Sequence, residues 1–319
     1  MTQYATSFSD IQDAHARIKQ AVHRTPVITS NQINRIAGRE LFFKCENLQK
    51  VGAFKFRGAC NAVMQLTDEQ AAKGVVTHSS GNHAQAVALA AAQRGIPAHI
   101  VMPNNAPKVK RAAVEAYGAR VITCIPTLQA RETTAQEVVD ETAATFVHPY
   151  DNADVIAGQG TAALELLEQT DALDAIITPV GGGGLLSGSA IVARSVLPAS
   201  KVFAAEPTGA DDAFRSFTSG TFVPQTGPNT IADGLLTSLG DLTWPIIRDH
   251  VNAIFTVNDD SIVDAMKLIW ERAKLVVEPS GAVPLAAVLS ERFQSEFTGK
   301  RIGIIISGGN VNLDHLPWQ

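Results

Sequence analysis

The segment Ala175-Ile176-Ile177-Thr178-Pro179-Val180-Gly181-Gly182-Gly183-Gly184-Leu185 carries the strongest information about the fold of this chain. Its apolar run is typical of a strand covered on both faces of a sheet, and residues 185–196 after the glycines have the composition of a helix. A strand that leads through a short loop into a helix is the unit of an α/β fold. Four successive glycines let several backbone N–H groups face one point beside the positive helix end, which predicts a phosphate cradle. A tight strand-to-helix turn is the other interpretation.

Two more polar loops follow apolar strands elsewhere in the chain. Ser79-Ser80-Gly81-Asn82-His83 comes after the predicted strand 74–78, and Ser307-Gly308-Gly309-Asn310 comes after the predicted strand 301–306. In open parallel sheets, ligands bind outside the carboxyl ends of the strands. We therefore expect the three loops to converge on one pocket, although they lie far apart in the sequence.

Strand-like and helical segments alternate along most of the chain, which predicts parallel strands joined by crossover helices. A first series consists of strands 74–78, 98–102 and 120–124 with helices 82–94, 108–117 and 128–143. A second series contains strands 175–178, 201–204, 253–256 and 301–306. The first helix is predicted to begin at Ser9, with Gln12 as its capping-box partner. The expected class is α/β, with parallel open sheets and helices on both faces.

Lys55 has an unusual setting for a charged side chain, in Val51-Gly52-Ala53-Phe54-Lys55-Phe56-Arg57-Gly58-Ala59. An apolar environment disfavours the charged amine and lowers its pKa, which a lysine that forms a Schiff base requires. The nearby Arg57 is expected to lower the pKa further. The alternative is a lysine that buries its stem and directs its charge to solvent. Both interpretations are open from these nine residues alone.

The glycine loops do not match the common nucleotide signatures. No Lys-Ser or Lys-Thr follows the tetraglycine, and its spacing does not fit Gly-x-Gly-x-x-Gly. Gly158-x-Gly160-x-x-Ala163 matches the looser dinucleotide pattern, but the preceding residues 151–154 are not typical of the end of a strand. A lysine able to form an imine, combined with a phosphate cradle, indicates pyridoxal 5′-phosphate as the cofactor.

Composition narrows the class of protein further. The 319 residues are 45% apolar and 18% charged, which suits one large or two ordinary domains. The net charge of −5 argues against a nucleic-acid surface, and no segment resembles a signal peptide or a membrane span. We therefore expect a cytoplasmic protein without nucleic-acid or membrane partners. Three cysteines without a Cys-x-x-Cys pair predict buried free thiols.

With these motifs, the chain resembles the serine racemase and threonine/serine dehydratase family of fold-type II pyridoxal-phosphate enzymes. The similarity extends from Thr25-Pro26-Val27 to Ser307-Gly308-Gly309-Asn310-Val311. It implies a two-domain fold like that of tryptophan synthase β, and a homodimer. Residues 1–73 and 148–319 would form a large cofactor-binding domain, and residues 74–147 a small inserted domain. The active site would lie in the cleft between them.

The resemblance also implies roles for individual residues. Lys55 would hold the cofactor and act as the first general base, while Ser80 would either donate a proton on the opposite face or bind the substrate carboxylate. The implied cofactor-binding residues are Phe54, Lys55, Asn82, Gly181, Gly182, Gly183, Gly184, Leu185 and Ser307. The implied substrate-binding residues are Ser79, Ser80, Gly81, Asn82, His83 and Arg131.

An acidic loop, Glu206-Pro207-Thr208-Gly209-Ala210-Asp211-Asp212, follows a predicted strand and offers hard oxygen ligands. By itself it is typical of a solvated loop. The resemblance maps a site for Mg²⁺, Mn²⁺ or Ca²⁺ onto Glu206, the carbonyl of Ala210 and Asp212. The histidines show no metalloprotease spacing, so His148 and His250 are predicted to be packing or surface residues.

The function implied by the resemblance is a dehydratase that removes water from a small β-hydroxy α-amino acid. The product would be an enamine, which yields a keto acid and ammonia. Arg131 can bind a second carboxylate or be a solvated charge, and the first role favours 3-hydroxyaspartate, with serine also accepted. The alternatives are a serine or aspartate racemase, a threonine dehydratase, a non-catalytic pyridoxal-phosphate-binding protein and a nucleotide-dependent oxidoreductase.

Overall fold

Two open sheets with helices on their faces organise residues 4–319, which the computed structural model describes. The strands are β1 (Val27–Ile28), β2 (Glu40–Cys45), β3 (Val75–His78), β4 (Ala98–Pro103), β5 (Arg120–Cys124), β6 (Thr145–Phe146), β7 (Ala175–Pro179), β8 (Lys201–Pro207), β9 (Ala253–Val257) and β10 (Arg301–Ile306).

The helices connect these strands and cover both sheets. They are α1 (Phe8–Ile18), α2 (Asn31–Ala37), α3 (Lys55–Gln65), α4 (Asp68–Lys73), α5 (Asn82–Arg94), α6 (Lys108–Ala116), α7 (Leu128–Thr142), α8 (Ala153–Gln169), α9 (Gly184–Val196), α10 (Asp212–Ser219), α11 (Thr243–His250), α12 (Asp259–Leu268), α13 (Pro279–Leu289) and α14 (Glu291–Glu296). Short 3₁₀ turns occur at Glu46–Leu48, Lys50–Gly52, Thr208–Ala210 and Asp233–Leu235, and a π-helical turn at Ile269–Ala273.

The larger sheet has the strand order β1-β2-β10-β7-β8-β9, and the smaller sheet has the order β5-β4-β3-β6. All pairs are parallel except β1 with β2. The predicted α/β class with parallel open sheets is therefore confirmed. The four strands of the smaller sheet all lie between residues 75 and 146, whereas the domain boundaries at 73/74 and 147/148 stay a prediction.

The core explains why the strands of the larger sheet are apolar along their whole length. Ile177 and Ile304 face one apolar layer with α13, and Ile176 and Ile305 face a second layer with α8 and α9. A third layer joins α3 and α5 to the smaller sheet. Helix α3 packs against both α8 and α5, so its first residue lies at the junction of the two sheets.

One local prediction, the start of α1, was wrong, and one motif that the sequence analysis rejected lies inside a helix. Helix α1 begins at Phe8 with Ser7 as the N-cap, because Ser7 and Asp10 form a reciprocal capping box; the predicted start at Ser9 is too late. Gly158-x-Gly160 lies inside α8, where an added Cβ at Gly158 would lie 2.6 Å from Gly58 Cα. These glycines permit close helix packing and do not form a nucleotide loop.

Two expectations from composition can be compared with the described part of the chain. Cys45, Cys60 and Cys124 are buried and free, as predicted. Within residues 4–319, no helix combines the length and the apolar character needed to cross a bilayer.

Candidate active site

The three predicted loops meet around one cavity at the carboxyl ends of β3, β7 and β10. Its volume is about 340 Å³. Every predicted cofactor- or substrate-binding residue lines it: Phe54, Lys55, Ser79, Ser80, Gly81, Asn82, His83, Arg131, Gly181, Gly182, Gly183, Gly184, Leu185 and Ser307. The acidic loop with Glu206, Ala210 and Asp212 does not line this cavity. Strand polarity therefore brings together residues that are far apart in the sequence.

Lys55 is the first residue of α3 and is partly buried in the cavity wall. Its Nζ donates a hydrogen bond to the carbonyl of Pro149 at 2.8 Å and lies 5.2 Å from the centre of the Phe54 ring. Burial lowers the pKa of Lys55 to about 8, against the opposing charge of Glu278. A substantial fraction of the amine is thus neutral near physiological pH, as a Schiff-base lysine requires.

The lysine-bearing turn is fixed to the end of β10 by the backbone. Phe54 N–H donates to the carbonyl of Ser307 at 2.9 Å, and Ala53 forms an antiparallel bridge with Gly308. Arg57 points away from the cavity and contacts Glu46 and Glu165. The expectation that Arg57 lowers the pKa of Lys55 is therefore wrong, because its charge is compensated and burial is the cause.

The tetraglycine forms the connection between β7 and α9. Gly183 has a φ of +89°, and α9 begins at the next residue with no side chain capping its N-terminus. A Cβ at Gly182 would overlap the Tyr150 ring, and one at Gly181 would lie 3.0 Å from the Leu235 backbone. Only glycine fits this loop, and its position at an uncapped helix N-terminus suits a phosphate group.

Ser307 and Asn82 differ in how far the protein satisfies their side chains. The buried hydroxyl of Ser307 has no hydrogen-bond partner among residues 4–319, so it is available to the ring nitrogen of a cofactor. Asn82 Nδ2 donates to both carboxylate oxygens of Glu278, at 3.0 and 3.2 Å, and its Oδ1 accepts from Asn310 Nδ2 at 2.8 Å. Asn82 is therefore held firmly at the cavity edge.

Glu278 is a cavity residue that the sequence analysis missed. It is 4% exposed, and burial, followed by repulsion from Asp233, raises its pKa to about 7. It is the N-cap of α13 and precedes Pro279. An acidic residue that follows the apolar run 275–277 and precedes a proline is a helix-start signal that could have identified it.

The loop before α5 presents an uncapped helix N-terminus to the cavity. Its N-cap is Gly81, which has no side chain to accept from the first N–H groups of α5. The His83 ring is held in place, because its Nε2 donates to the carbonyl of Val147 at 3.1 Å. Burial holds the pKa of His83 well below its usual range. The backbone of this loop suits a carboxylate, while the His83 ring ties the loop to the chain after β6.

His148 lies on the cavity wall, which corrects its prediction as a packing or surface residue. Its Nδ1 accepts from the backbone N–H of Asp151 at 2.8 Å and of Tyr150 at 3.3 Å. Burial and the charge of Lys55 lower the pKa of His148 to about 4. The ring is consequently neutral with its proton on Nε2, and it can donate but not accept at that atom.

The mouth of the cavity carries charged side chains from both parts of the molecule. Arg131, on α7, is partly buried, and its only side-chain hydrogen bond within residues 4–319 is a long one of 3.4 Å to the carbonyl of Thr127. Lys110 on α6 forms an ion pair of 2.8 Å with Asp233. Lys110 and Asp233 were not predicted, because neither follows a strand. Arg131 thus retains most of its donors for a ligand in the cavity.

The acidic loop forms a separate site beneath the surface. Glu206 is fully buried, and its two oxygens accept from the N–H groups of Ala213 and Phe214 at 3.0 and 2.9 Å. Both carboxylate oxygens of Asp212, which is 1% exposed, lack a partner in residues 4–319. Burial raises the pKa of Glu206 to about 9 and that of Asp212 to about 7.

The unpartnered oxygens of Asp212 fit a bound cation. Within residues 4–319, no three His, Cys, Asp or Glu side chains lie close enough together to hold a metal by themselves. The predicted ligand set avoids that requirement, because it combines the carboxylates of Glu206 and Asp212 with the backbone carbonyl of Ala210. Hard oxygen ligands of this kind suit Mg²⁺, Mn²⁺ or Ca²⁺.

Known proteins resemble this chain over nearly its whole length. Serine racemase of Dictyostelium discoideum is 54% identical over 312 residues, which are 97% of this chain and 96% of that protein. The beta-hydroxyaspartate dehydratase of Paracoccus denitrificans is 52% identical and covers 99% of this chain and 100% of that protein. The structure of maize serine racemase has a TM-score of 0.96 at 52% identity and covers 98% of this chain and 95% of that one.

The family model described as pyridoxal-phosphate dependent enzyme matches residues 18–308. The match includes the lysine-bearing turn, the tetraglycine and the carboxyl ends of β3, β7 and β10 up to Gly308. The predicted resemblance and the pyridoxal-phosphate cofactor are therefore confirmed. The unpartnered hydroxyl of Ser307 and the glycine cradle are where such a cofactor would be held, and this chain belongs to the pyridoxal-phosphate dependent enzymes of the serine racemase and dehydratase type.

Proposed function

We propose that this protein is a dehydratase that eliminates water from 3-hydroxyaspartate and, less efficiently, from serine. The observation that carries the proposal is the presence of two anion-binding places besides the glycine cradle. The uncapped N-terminus of α5 suits an α-carboxylate, and Arg131 suits a distal carboxylate. A relative with 52% identity is named as a beta-hydroxyaspartate dehydratase. Threonine has no second carboxylate, so it would leave Arg131 without a partner.

In this reaction Lys55 accepts the proton of the substrate Cα at its Nζ. Its pKa of about 8 leaves part of the amine neutral, and the carbonyl of Pro149 orients Nζ. Bound pyridoxal phosphate supplies an electron sink that acidifies the Cα–H bond. The Cβ–O bond breaks as the hydroxyl takes up a proton from a nearby acid and leaves as water. The resulting enamine hydrolyses to a keto acid and ammonia.

The residues of the cavity have separate tasks in this scheme. Phe54 would pack beside the cofactor ring, Asn82 would lie near its 3′-oxygen, and Ser307 would face its ring nitrogen. A neutral hydroxyl does not hold that nitrogen protonated as a carboxylate would, and the weaker electron sink favours prompt loss of the leaving group over a long-lived carbanion. Residues 181–185 would bind the phosphate.

Amino-acid racemisation is the second candidate function. Ser80 lines the same cavity as Lys55, so its hydroxyl could return a proton to the other face of Cα. A relative with 54% identity is named as a serine racemase. In this role Ser80 acts after Lys55 has removed the proton, and the product keeps its hydroxyl group.

The proposal also covers the surroundings of the reaction. A divalent cation at Glu206, Ala210 and Asp212 would stabilise the larger sheet without contacting the cavity. We propose a homodimer located in the cytoplasm, with domains at residues 1–73 plus 148–319 and 74–147. The Leu48 and Val276 side chains are 46% and 49% exposed, and Asn47 Nδ2 donates to the carbonyl of Val276 at 3.0 Å, which brings the two segments together. This exposed apolar pair supports an interface at this point of the surface.

A substrate panel tests the proposal. Purified protein is incubated with L- and D-serine, threonine and the hydroxyaspartate stereoisomers, and ammonia, keto acid and inverted amino acid are measured together. We expect ammonia and keto acid chiefly from hydroxyaspartate. Inverted amino acid in excess of keto acid would instead support the racemase. Lys55→Ala should lose both the cofactor absorbance and turnover while remaining folded.

Arg131→Ala tests substrate recognition. We expect kcat/KM for hydroxyaspartate to fall by about 10- to 100-fold, with serine changed much less, because only the former loses a charged hydrogen bond. Arg120→Ala serves as a matched control, since Arg120 is exposed on β5 and does not line the cavity. An equal loss on both substrates would show that Arg131 does not bind a second carboxylate.

A further inference from the structure

Beneath the lysine-bearing turn lies a set of four buried charged side chains, Lys44, Glu46, Arg57 and Glu165, which we call the charge cluster. Three of them are completely buried, and Glu165 is 1% exposed. Lys44 Nζ contacts Glu165 at 2.7 Å, and Arg57 contacts Glu46 at 2.7 Å and Glu165 at 2.8 Å. The formal charges of two cations and two carboxylates cancel. The cluster is therefore complete without any ligand.

Arg57 lies at the centre of the charge cluster. Its Nε and Nη2 donate to the two oxygens of Glu46, at 2.7 and 2.8 Å, and its Nη1 and Nη2 donate to the two oxygens of Glu165, both at 2.8 Å. The hydroxyl of Thr161 and the carbonyl of His23 accept further bonds, at 3.2 and 3.3 Å. A planar guanidinium paired in this way on two edges has one orientation available to it.

The partners of Arg57 belong to different elements. Glu46 follows β2, Glu165 lies on α8, and Arg57 itself is in the first turn of α3, two residues after Lys55. Next to it, an added Cβ on Gly58 would lie 2.8 Å from the carbonyl of Val155, so α3 and α8 are in backbone contact there. The turn that carries Lys55 is consequently held from two sides by buried hydrogen bonds and close packing.

Stability alone does not account for this arrangement. Buried ion pairs can often be replaced by apolar side chains of similar volume without loss of stability, because desolvation of the charges offsets their attraction. Nor does the cluster adjust the electrostatics of Lys55, whose pKa is set by burial and by Glu278. The property that the cluster supplies and an apolar core lacks is a fixed direction for the first turn of α3.

We propose that Arg57 is a positioning residue, which fixes the first turn of α3 through the charge cluster so that Lys55 Nζ meets the cofactor and the substrate Cα at one distance. This inference rests on Lys55 being the cofactor lysine. Arg57 bonds to Glu165 on α8, and Lys55 Nζ bonds to the carbonyl of Pro149, which lies just before α8. The backbone of the turn and the amine of Lys55 are therefore both positioned relative to α8. If Arg57 is loosened, the backbone of the turn can move relative to α8 while the amine stays bonded to Pro149.

The first test is Arg57→Lys, which keeps the charge but loses both bidentate pairs. The readout is the rate at which apoenzyme captures added pyridoxal phosphate, when the Lys55 amine condenses with the aldehyde and water is released, followed by absorbance. We expect this rate and kcat to fall by about tenfold or more, while KM for the amino acid changes by less than about twofold. Arg24→Lys is the matched control, because its pair with Glu168 on α8 is exposed; it should behave as wild type.

The second test separates positioning from stability. In the fourfold variant Lys44→Met, Glu46→Leu, Arg57→Met and Glu165→Leu, the cluster is apolar and we expect a Tm near that of wild type with capture still slowed. Wild-type capture and kcat in folded Arg57→Lys protein would overturn the proposal, and so would full recovery of both rates in the fourfold variant. Should the fourfold protein not fold, Arg57→Lys decides alone. Failure of the wild type to capture the cofactor would instead refute the role of Lys55.

Discussion

The charge cluster and the cavity wall lie on opposite sides of the first turn of α3, and they treat buried charge in opposite ways. In the cluster each carboxylate contacts a cation, as with Glu165 between Lys44 and Arg57. In the cavity, and among residues 4–319, Lys55 Nζ hydrogen-bonds only to a carbonyl, and the Glu278 carboxylate only to amide donors. Their pKa values accordingly shift towards neutrality, to about 8 and about 7. The paired charges of the cluster thus have a structural role, and the unpaired charges of Lys55 and Glu278 lie where a ligand would bind.

The largest effect on stability should come from breaking the charge cluster at its centre. Arg57→Leu leaves Glu46 and Glu165 buried without their main partner, and we expect the free energy of unfolding to fall by about 3–5 kcal/mol in urea titrations. Lys55→Leu, on the cavity side of the same turn, removes a cation that has no carboxylate in contact. It should leave the free energy of unfolding unchanged or raise it. Equal losses in the two variants would contradict the distinction.

The acidic loop should be stabilised by a cation, because unlike the carboxylates of the charge cluster, those of Glu206 and Asp212 form no ion pair within residues 4–319. With Mg²⁺ or Mn²⁺ at about 100 times its Kd, we expect about 2.7 kcal/mol of added stability, which a chelator removes. Asp212→Asn should abolish the response, because Asp212 supplies the unpartnered oxygens. The exposed Asp260→Asn is the control and should keep it. A response that persists in Asp212→Asn would place the cation elsewhere.

The pH dependence of cofactor capture should report the unsatisfied charge of Lys55. The neutral amine is the nucleophile, so capture by apoenzyme should accelerate as pH rises through the pKa of about 8 and level off above it. Between pH 7 and pH 8 the rate should increase about fivefold. A rate that keeps rising towards 10.5, the ordinary lysine pKa, would show that burial does not act on this amine.

The smallest effect is expected where the same charges meet in water. Arg24 and Glu168 form a pair of 3.0 Å with 57% and 41% of their side chains exposed. Arg24→Gln should change the free energy of unfolding by less than about 1 kcal/mol, since solvent screens the pair. A loss as large as that of Arg57→Leu would mean that burial is not what separates the two pairs.

The sequence was sufficient for features that depend on neighbours along the chain. The alternation of apolar runs and glycine loops predicted the parallel sheets, and strand direction then predicted that the loops 79–83, 181–184 and 307–310 would meet. The N-cap of α1 was misplaced by two residues because Ser7 and Ser9 are both good N-caps, each with a possible capping-box partner three residues later, Asp10 or Gln12.

Features that depend on contacts across the fold were not predictable in this way. Arg57 was expected to act on Lys55, its neighbour in sequence, but its partners Glu46 and Glu165 lie 11 and 108 residues away. Glu278 reaches Asn82 across 196 residues. A charged residue reveals its partner only once the elements that carry both are packed.

The backbone hydrogen bond from Phe54 N–H to the carbonyl of Ser307 fixes one distance in the cavity wall. It sets the distance between the lysine-bearing turn and the end of β10 through the main chain, which side-chain mutations leave in place. The facing wall, built from residues 79–83 and 148–150, is held largely by side chains, since Asn82 bonds to Glu278 and His83 bonds to the carbonyl of Val147. Side-chain mutations in that wall can therefore change its shape, while the main-chain link between the turn and β10 stays in place.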